Sequence, residues 1–171
     1  MAEPRIETAR LNLVPLNAHW NDDIFRLLNE PEVADWLFLT GPPTREQVEA
    51  RMKAYEQFWA ERGYGLFAVL EKPADRFVAR VGAIMTPETG RIEIAWTTAR
   101  EAWGKGYASE AARAVQAMLP AHLPQMQPIS LIHAENERSI ALALALGATL
   151  EKRLEFRDAP FHQYRHRRHR D

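Results

Sequence analysis

Hydrophobic and polar positions alternate with the period of a β-strand through the middle of the chain. In Arg91-Ile92-Glu93-Ile94-Ala95-Trp96 the apolar residues fall at every second place, so one face is buried. Residues 66–71, 77–85 and 91–97 read as three strands. The short loops between them, 72–76 and 86–90, carry Pro, Asp and Gly, which makes the trio an antiparallel meander. Elsewhere the period is helical. Residues 19–29 bring Trp20, Ile24, Leu27 and Leu28 to one side. Thr44-Arg45-Glu46-Gln47 is a capping box, behind which Val48, Met52, Tyr55 and Trp59 form the stripe of a helix ended by Gly63. Ala108, Ala111, Ala112, Val115, Met118 and Leu119 mark another helix, which Pro120 is expected to stop.

The ends of the chain fit the same scheme. Residues 6–16 form a strand and 128–133 a buried one. Asn136 caps a helix that Gly147 terminates, and 149–157 with 161–166 close the chain as a strand pair. The predicted order is β-α-α-β-β-β-α-β-α-β-β. This is a mixed α/β fold, a mainly antiparallel sheet flanked by helices, in a single domain of residues 1–171 with a short basic tail at 162–171.

Chemistry concentrates between the third meander strand and the next helix. Trp103-Gly104-Lys105-Gly106-Tyr107-Ala108-Ser109 puts two glycines at a helix entrance. They leave backbone N–H groups uncovered, and the helix dipole adds partial positive charge, so phosphate is favoured there. The dinucleotide pattern G-x-G-x-x-G belongs after a first strand, and this loop lies past mid-chain with shorter spacing. The P-loop pattern G-x-x-x-x-G-K-[ST] is absent too.

The segment resembles the acetyl-coenzyme A loop of the GNAT superfamily of N-acetyltransferases, Q/R-x-x-G-x-G/A, with Trp103 where Gln or Arg is usual. W-G-x-G-Y-A is similar to the branch containing ribosomal-protein alanine N-acetyltransferases and their small-molecule relatives. Glu7-Thr8-Ala9-Arg10-Leu11-Asn12-Leu13-Val14-Pro15-Leu16 resembles that branch's first strand (T-x-R-L-x-L-R-P-L), and Asn29-Glu30-Pro31-Glu32-Val33 the end of its first helix. Asn136-Glu137-Arg138-Ser139 followed by Leu146-Gly147-Ala148 resembles its N-x-x-S…L-G-F motif.

The resemblance implies the GNAT fold and acetyl-coenzyme A as cosubstrate. The pyrophosphate would sit on the N–H groups of residues 104–109, bounded by Trp103, Gly104, Lys105, Gly106, Tyr107, Ala108 and Ser109. The pantetheine arm would pair with the strand at Ile94, Ala95 and Trp96 and touch Asn136. A backbone N–H near Ala95 to Thr97 would face the thioester carbonyl. Glu93 is the implied base, on the strand where GNAT enzymes often carry theirs, and Ser139 the implied donor of a proton to the departing thiolate. Acceptors are amines, from a peptide amino terminus or a small molecule. At pH 7 an α-amine of pKa ~8 needs about 1.4 kcal/mol to lose its proton and a lysine of pKa ~10.4 about 4.6 kcal/mol, so the α-amine manages with a weaker base.

Composition narrows this further. The 171 residues hold no cysteine, which removes disulfides, thiolate metal sites and an acyl-cysteine intermediate. Transfer is then direct attack in a ternary complex. No apolar run reaches membrane-spanning length and no signal segment opens the chain, so a cytoplasmic monomer or homodimer is expected, with no metal. The net charge is −1; the last ten residues carry +3, leaving −4 for the rest. An acidic body weakly favours a cationic acceptor.

Other residues have plainer readings. Lys105 and Arg100 either meet pyrophosphate or are solvated. His133 reads as packed rather than as a base. His162, His166 and His169 read as a solvated surface, and Phe58, Trp59 and Tyr64 as core or groove lining. Two other functions stay open: a non-catalytic acyl-coenzyme A sensor, and an RNA-binding protein using the basic tail.

Overall fold

The computed structural model describes residues 4–37, 41–87 and 89–167. Eight strands form one sheet: β1 (Ile6–Glu7), β2 (Leu11–Pro15), β3 (Leu66–Glu71), β4 (Arg76–Thr86), β5 (Arg91–Thr98), β6 (Ile129–His133), β7 (Thr149–Phe156) and β8 (Ala159–Arg165). Their spatial order is β1-β2-β3-β4-β5-β6-β8-β7. Every neighbouring pair is antiparallel except β5 and β6, which run parallel. The helices are α1 (Asn21–Asn29), α2 (Pro31–Leu37), α3 (Arg45–Arg62), α4 (Tyr107–His122) and α5 (Glu137–Ala145). Strands, helices and the meander therefore follow the periods read above.

Strand alternation sends two sets of side chains to opposite faces. Phe67, Val69, Val81, Ile92 and Ile94 pack with Ala111, Ala112 and Val115 of α4. Leu66, Ala68 and Leu70 pack on the other side with Leu27 and Leu28 of α1 and Val48 and Met52 of α3. Phe67 is wholly buried, with the Trp59 ring edge-on at 4.8 Å; truncation to Ala would cost about 3–5 kcal/mol. The indole N–H of Trp59 donates to the Leu66 carbonyl at 2.7 Å. The capping box of α3 is present in both directions, between Thr44 and Gln47, a feature worth about 1 kcal/mol.

Three local expectations are corrected. Residues 6–16 are not one strand but two. Thr8 turns the chain back, its N–H donating to the Leu11 carbonyl at 3.0 Å and its hydroxyl accepting from the Leu11 N–H at 3.1 Å, so Ile6 pairs with Leu13. Pro31 opens a further helix, α2, with only Val33 buried, too short a run to show a period. Pro120 does not stop α4, which continues to His122. One turn from the helix end its missing N–H removes a single backbone bond, and Leu123 N–H still reaches the Leu119 carbonyl at 2.8 Å.

Candidate active site

β5 and β6 part almost as soon as they meet. Their ladder consists of one pair, Glu93 with Ile129, and beyond it a cleft of about 860 Å³ opens. Parted strands leave backbone donors and acceptors without partners, and buried ones are costly. Two side chains bridge the opening. The Ser130 hydroxyl donates to the Ile94 carbonyl at 2.6 Å. The Glu93 carboxylate accepts the Leu131 N–H at 3.2 Å on Oε1 and the Thr86 hydroxyl at 2.7 Å on Oε2. Because Ile94 turns its carbonyl toward β6, alternation turns the backbone of Trp96 to the same edge, above the opening. Ala95 lies between them with its side chain on the α1–α3 face.

The glycine loop stands at the mouth. Gly104 and Gly106 have φ of +75° and +78°, a left-handed backbone open to glycine at little cost. A Cβ on Gly104 would meet nothing within 4 Å, and one on Gly106 would come 3.4 Å from Arg10 Nη2. Gly106 caps α4 without any side-chain hydrogen bond. The first amides, of Tyr107, Ala108 and Ser109, thus keep the donor character an anion requires. Ser109 Oγ accepts from Arg113 at 2.5 Å. Trp103 donates its indole N–H to the Thr98 carbonyl at 2.9 Å, and the guanidiniums of Arg138 and Arg100 lie on its ring at 4.0 and 4.7 Å. Arg138 lines the cleft, whereas Lys105 and Arg100 do not. Lys105 is exposed, and Arg100 is held by the acids at the α1–α2 junction, Glu30 through its N–H at 2.6 Å and Glu32 at 4.0 Å.

α5 presents the other wall. Asn136 Oδ1 accepts the Ser139 N–H at 3.1 Å, a true N-cap. Ser139 Oγ accepts the indole N–H of Trp96 at 3.2 Å, so the hydroxyl hydrogen is left for another acceptor. His133 is buried between Trp36 and Phe161. Its Nδ1 accepts the Glu135 N–H at 3.2 Å, which is a packed role. Tyr107 directs its hydroxyl to the Glu71 carboxylate. That bond raises the phenol above its ordinary range and lowers the carboxyl of Glu71, and it points the hydroxyl away from the cleft. Tyr164 is buried in a separate cluster with Ile132 and Ala148.

Several partners were not legible in the chain. Arg10 Nη1 donates to the Lys105 carbonyl at 2.9 Å while its Nε holds Glu110 Oε2 at 2.7 Å. Burial would raise the Glu110 carboxyl, but bonds from Thr8 and Arg10 outweigh it and hold the group below its usual range. The turn between β1 and β2 and the first turn of α4 are thereby locked around the glycine loop. The reading of His166 as solvated surface is wrong: it is buried. Gln116 Nε2 lies 2.9 Å from its Nδ1, and Ser130 Oγ lies 2.8 Å from its Nε2. Since an amide nitrogen only donates, Nδ1 accepts and Nε2 carries the proton. A directed chain runs Gln116 to His166 to Ser130 to the Ile94 carbonyl. Burial pushes the His166 pKa down to about 4. His162 is half-buried, with a ring nitrogen enclosed and unpartnered; His169, Arg168, Arg170 and Asp171 lie outside the described residues. Arg165, in the basic tail, belongs to β8 and lies 3.9 Å from Glu151.

Among the described residues no helix is long and apolar enough to cross a membrane. Residues 10–149 match the family described as the acetyltransferase (GNAT) domain. The chain is similar to the uncharacterized N-acetyltransferase p20 of Bacillus licheniformis, 29% identical over 105 residues, which is 61% of this chain and 59% of that protein; the match thus spans about three fifths of the relative's length. In fold it is similar to a GnaT-family acetyltransferase structure from Bordetella pertussis, with a TM-score of 0.84, 22% identity, and coverage of 96% of this chain and 99% of that one. It is also similar to ribosomal L7/L12 α-N-protein acetyltransferase in complex with coenzyme A, with a TM-score of 0.77, 15% identity, and coverage of 95% and 97%.

Proposed function

The chain belongs to the GNAT acetyltransferase family, and on that premise we propose that it transfers an acetyl group from acetyl-coenzyme A to a primary amine. The acceptor is a peptide amino terminus or a small-molecule amine, attacking directly while both substrates are bound. The parting of β5 from β6 after one pair, opening onto an uncapped helix entrance, carries this reading. The opening suits a narrow thioester arm, the entrance suits a pyrophosphate, and the empty space in front of Gly104 leaves room for it. The L7/L12 enzyme bound to coenzyme A supports the same choice of cosubstrate.

Within this reading the amides of residues 104–109 and the Arg138 guanidinium hold phosphate. The Ile94 carbonyl is already engaged by Ser130, so added-strand pairing with the cosubstrate centres on Trp96. Acetyl-coenzyme A supplies an activated acyl carbon and a thiol leaving group. The backbone N–H of Trp96, distinct from the indole N–H held by Ser139, would meet the negative charge that grows on the acyl oxygen; losing such a donor costs about 3–4 kcal/mol in related chemistry. Glu93 receives the amine proton on a carboxylate oxygen, directly or through a water. Ser139 Oγ gives its hydrogen to the departing sulfur and takes one back from water, the proton on Glu93 returning to solvent, and the α5 dipole favours charge at the sulfur. With no cysteine in the chain, no acyl-cysteine is formed on the protein.

The test is a panel of amino-terminal peptides, amino acids, polyamines and aminoglycosides mixed with acetyl-coenzyme A while free thiol is followed. Release of thiol with acetylation of at least one amine class supports the reading. Tight coenzyme A binding with no turnover on any amine would convert the protein to an acyl-coenzyme A sensor.

A further inference from the structure

The lining of the cleft has the opposite charge from the body of the chain. Among the described lining residues Glu93 is the single carboxylate, against the guanidiniums of Arg51, Arg80, Arg138 and Arg157. Arg138 is stacked on Trp103 beside the glycine loop, and Arg157 lies on the Phe156 ring. Arg80 differs from both. It stands on β4 directly opposite Thr97 of β5, and its Nε donates to the Thr97 hydroxyl at 3.2 Å, which draws the guanidinium across β5 toward the opening. Its Nη1 is enclosed and has no hydrogen-bond partner. A charged donor shut away from water without an acceptor is costly, and planar guanidinium forks are matched by oxyanions rather than by cations.

Arg80 lies on the sheet face opposite the one against which α4 packs. Its register partner Thr97 shares that face with Ala95 and Glu93, the face covered by α1–α3, and stands four residues, about 13 Å, along β5 from Glu93, toward the end of the strand that leads into the glycine loop. An amine held near Ala95 and Trp96 would place the neighbouring atoms of its own molecule toward Arg80. Arg51 of α3 lines the same side. We propose that the acceptor is an amine whose own molecule carries a carboxylate close to the amino group, and that Arg80 receives that carboxylate. This specifies the acceptor within the transferase reading and rests on it. The carboxylate has two sources: the α-carboxylate of a free amino acid, or an acidic side chain next to a peptide amino terminus. It replaces the expectation, taken from net charge alone, that a cationic acceptor is favoured.

The experiment compares matched pairs. α-Amino acids are set against their carboxamides, and short peptides with Asp near the amino terminus against the same peptides with Asn, with a polyamine as the cationic control. Each is titrated against coenzyme A-loaded protein by tryptophan fluorescence and assayed for acetylation. Binding at least tenfold tighter for the carboxylate member of one series is expected, and the winning series identifies the source. Arg80→Gln should abolish the preference and raise the acceptor KM at least tenfold, Arg80→Lys should restore part of it, and coenzyme A Kd should stay within twofold in both. Equal binding of acid and amide, or a loss in Arg80→Gln that falls on coenzyme A instead, would overturn the proposal. Carboxylate-selective binding without any acetylation would uphold the anion site and refute the transferase reading, so the two failures are distinct.

Discussion

The indole N–H of Trp96 donates to the hydroxyl of Ser139 at 3.2 Å, joining β5 to the first turn of α5 across the opening between the strands. The two residues are 43 positions apart, and the bond fixes the direction of the hydroxyl. With one of its two lone pairs engaged by Trp96, the Ser139 hydroxyl keeps its proton to give. Ser139→Ala should therefore lower kcat about 10- to 100-fold with little change in coenzyme A affinity. Trp96→Phe should reproduce part of that loss by releasing the hydroxyl. The check is steady-state kinetics beside calorimetric Kd values; wild-type kcat in Ser139→Ala would end the proton-donor assignment.

Glu93, the base in the proposed mechanism, also ties β6 to β5. Its carboxylate accepts the Leu131 N–H where the β5–β6 ladder has ended. Glu93→Gln keeps one acceptor oxygen but turns the other into a donor, facing either that N–H or the Thr86 hydroxyl. We expect a stability loss of about 1–3 kcal/mol together with a turnover loss of about 100-fold or more, the usual share of a general base. Denaturant titration and turnover on the true acceptor check the two parts separately. Unchanged turnover in a folded variant would leave the proton to solvent.

The glycine loop distinguishes strain from access. Gly106→Val would be strained at φ +78° wherever its side chain went, costing about 1–3 kcal/mol, so it cannot serve as a fold-neutral probe. Gly104→Ala is the cleaner variant. Its φ is also left-handed, but its Cβ enters open space, where phosphate is expected. A drop of at least tenfold in coenzyme A affinity with a stability cost of about 1 kcal/mol is predicted. Calorimetry decides, and unaltered affinity would remove phosphate from this loop.

His166 gives a pH dependence with a definite sign. Its folded pKa is about 4 against 6.5 when unburied, so between those values the unfolded chain binds more protons. Stability contributed by the neutral ring is full above 6.5 and falls as pH drops toward 4. Near pH 5 the loss is about 2 kcal/mol relative to pH 7. Urea titrations at both values should show it, and His166→Gln should flatten that interval. Equal slopes in the two proteins would contradict the neutral, buried assignment.

The features legible in the chain were those carried by local period or local spacing. The meander, the α3 capping box, the glycine helix entrance and the Asn136 cap each involve residues within a few positions of one another. What stayed hidden depends on contacts made only after folding. Ser130 and the Ile94 carbonyl are 36 positions apart, and Arg10 and Glu110 are 100 apart. His166 sits among arginines in sequence, which points to the surface, yet the end of β8 carries it under Gln116 of α4. Arg80 showed nothing beyond strand alternation; its meaning comes from the enclosed nitrogen and the cleft it faces. Helix α2 is not legible in the chain because seven residues with one buried position leave no period to read.

Direct transfer between two substrates held together in the β5–β6 opening has a kinetic signature, read from initial rates with both substrates varied. Varying acetyl-coenzyme A at several fixed concentrations of the best amine from the panel should give intersecting double-reciprocal lines, and protein mixed with acetyl-coenzyme A alone should keep its unmodified mass. Parallel lines, or an acetylated protein formed without acceptor, would mean that the acetyl group passes through the protein and rule out direct transfer.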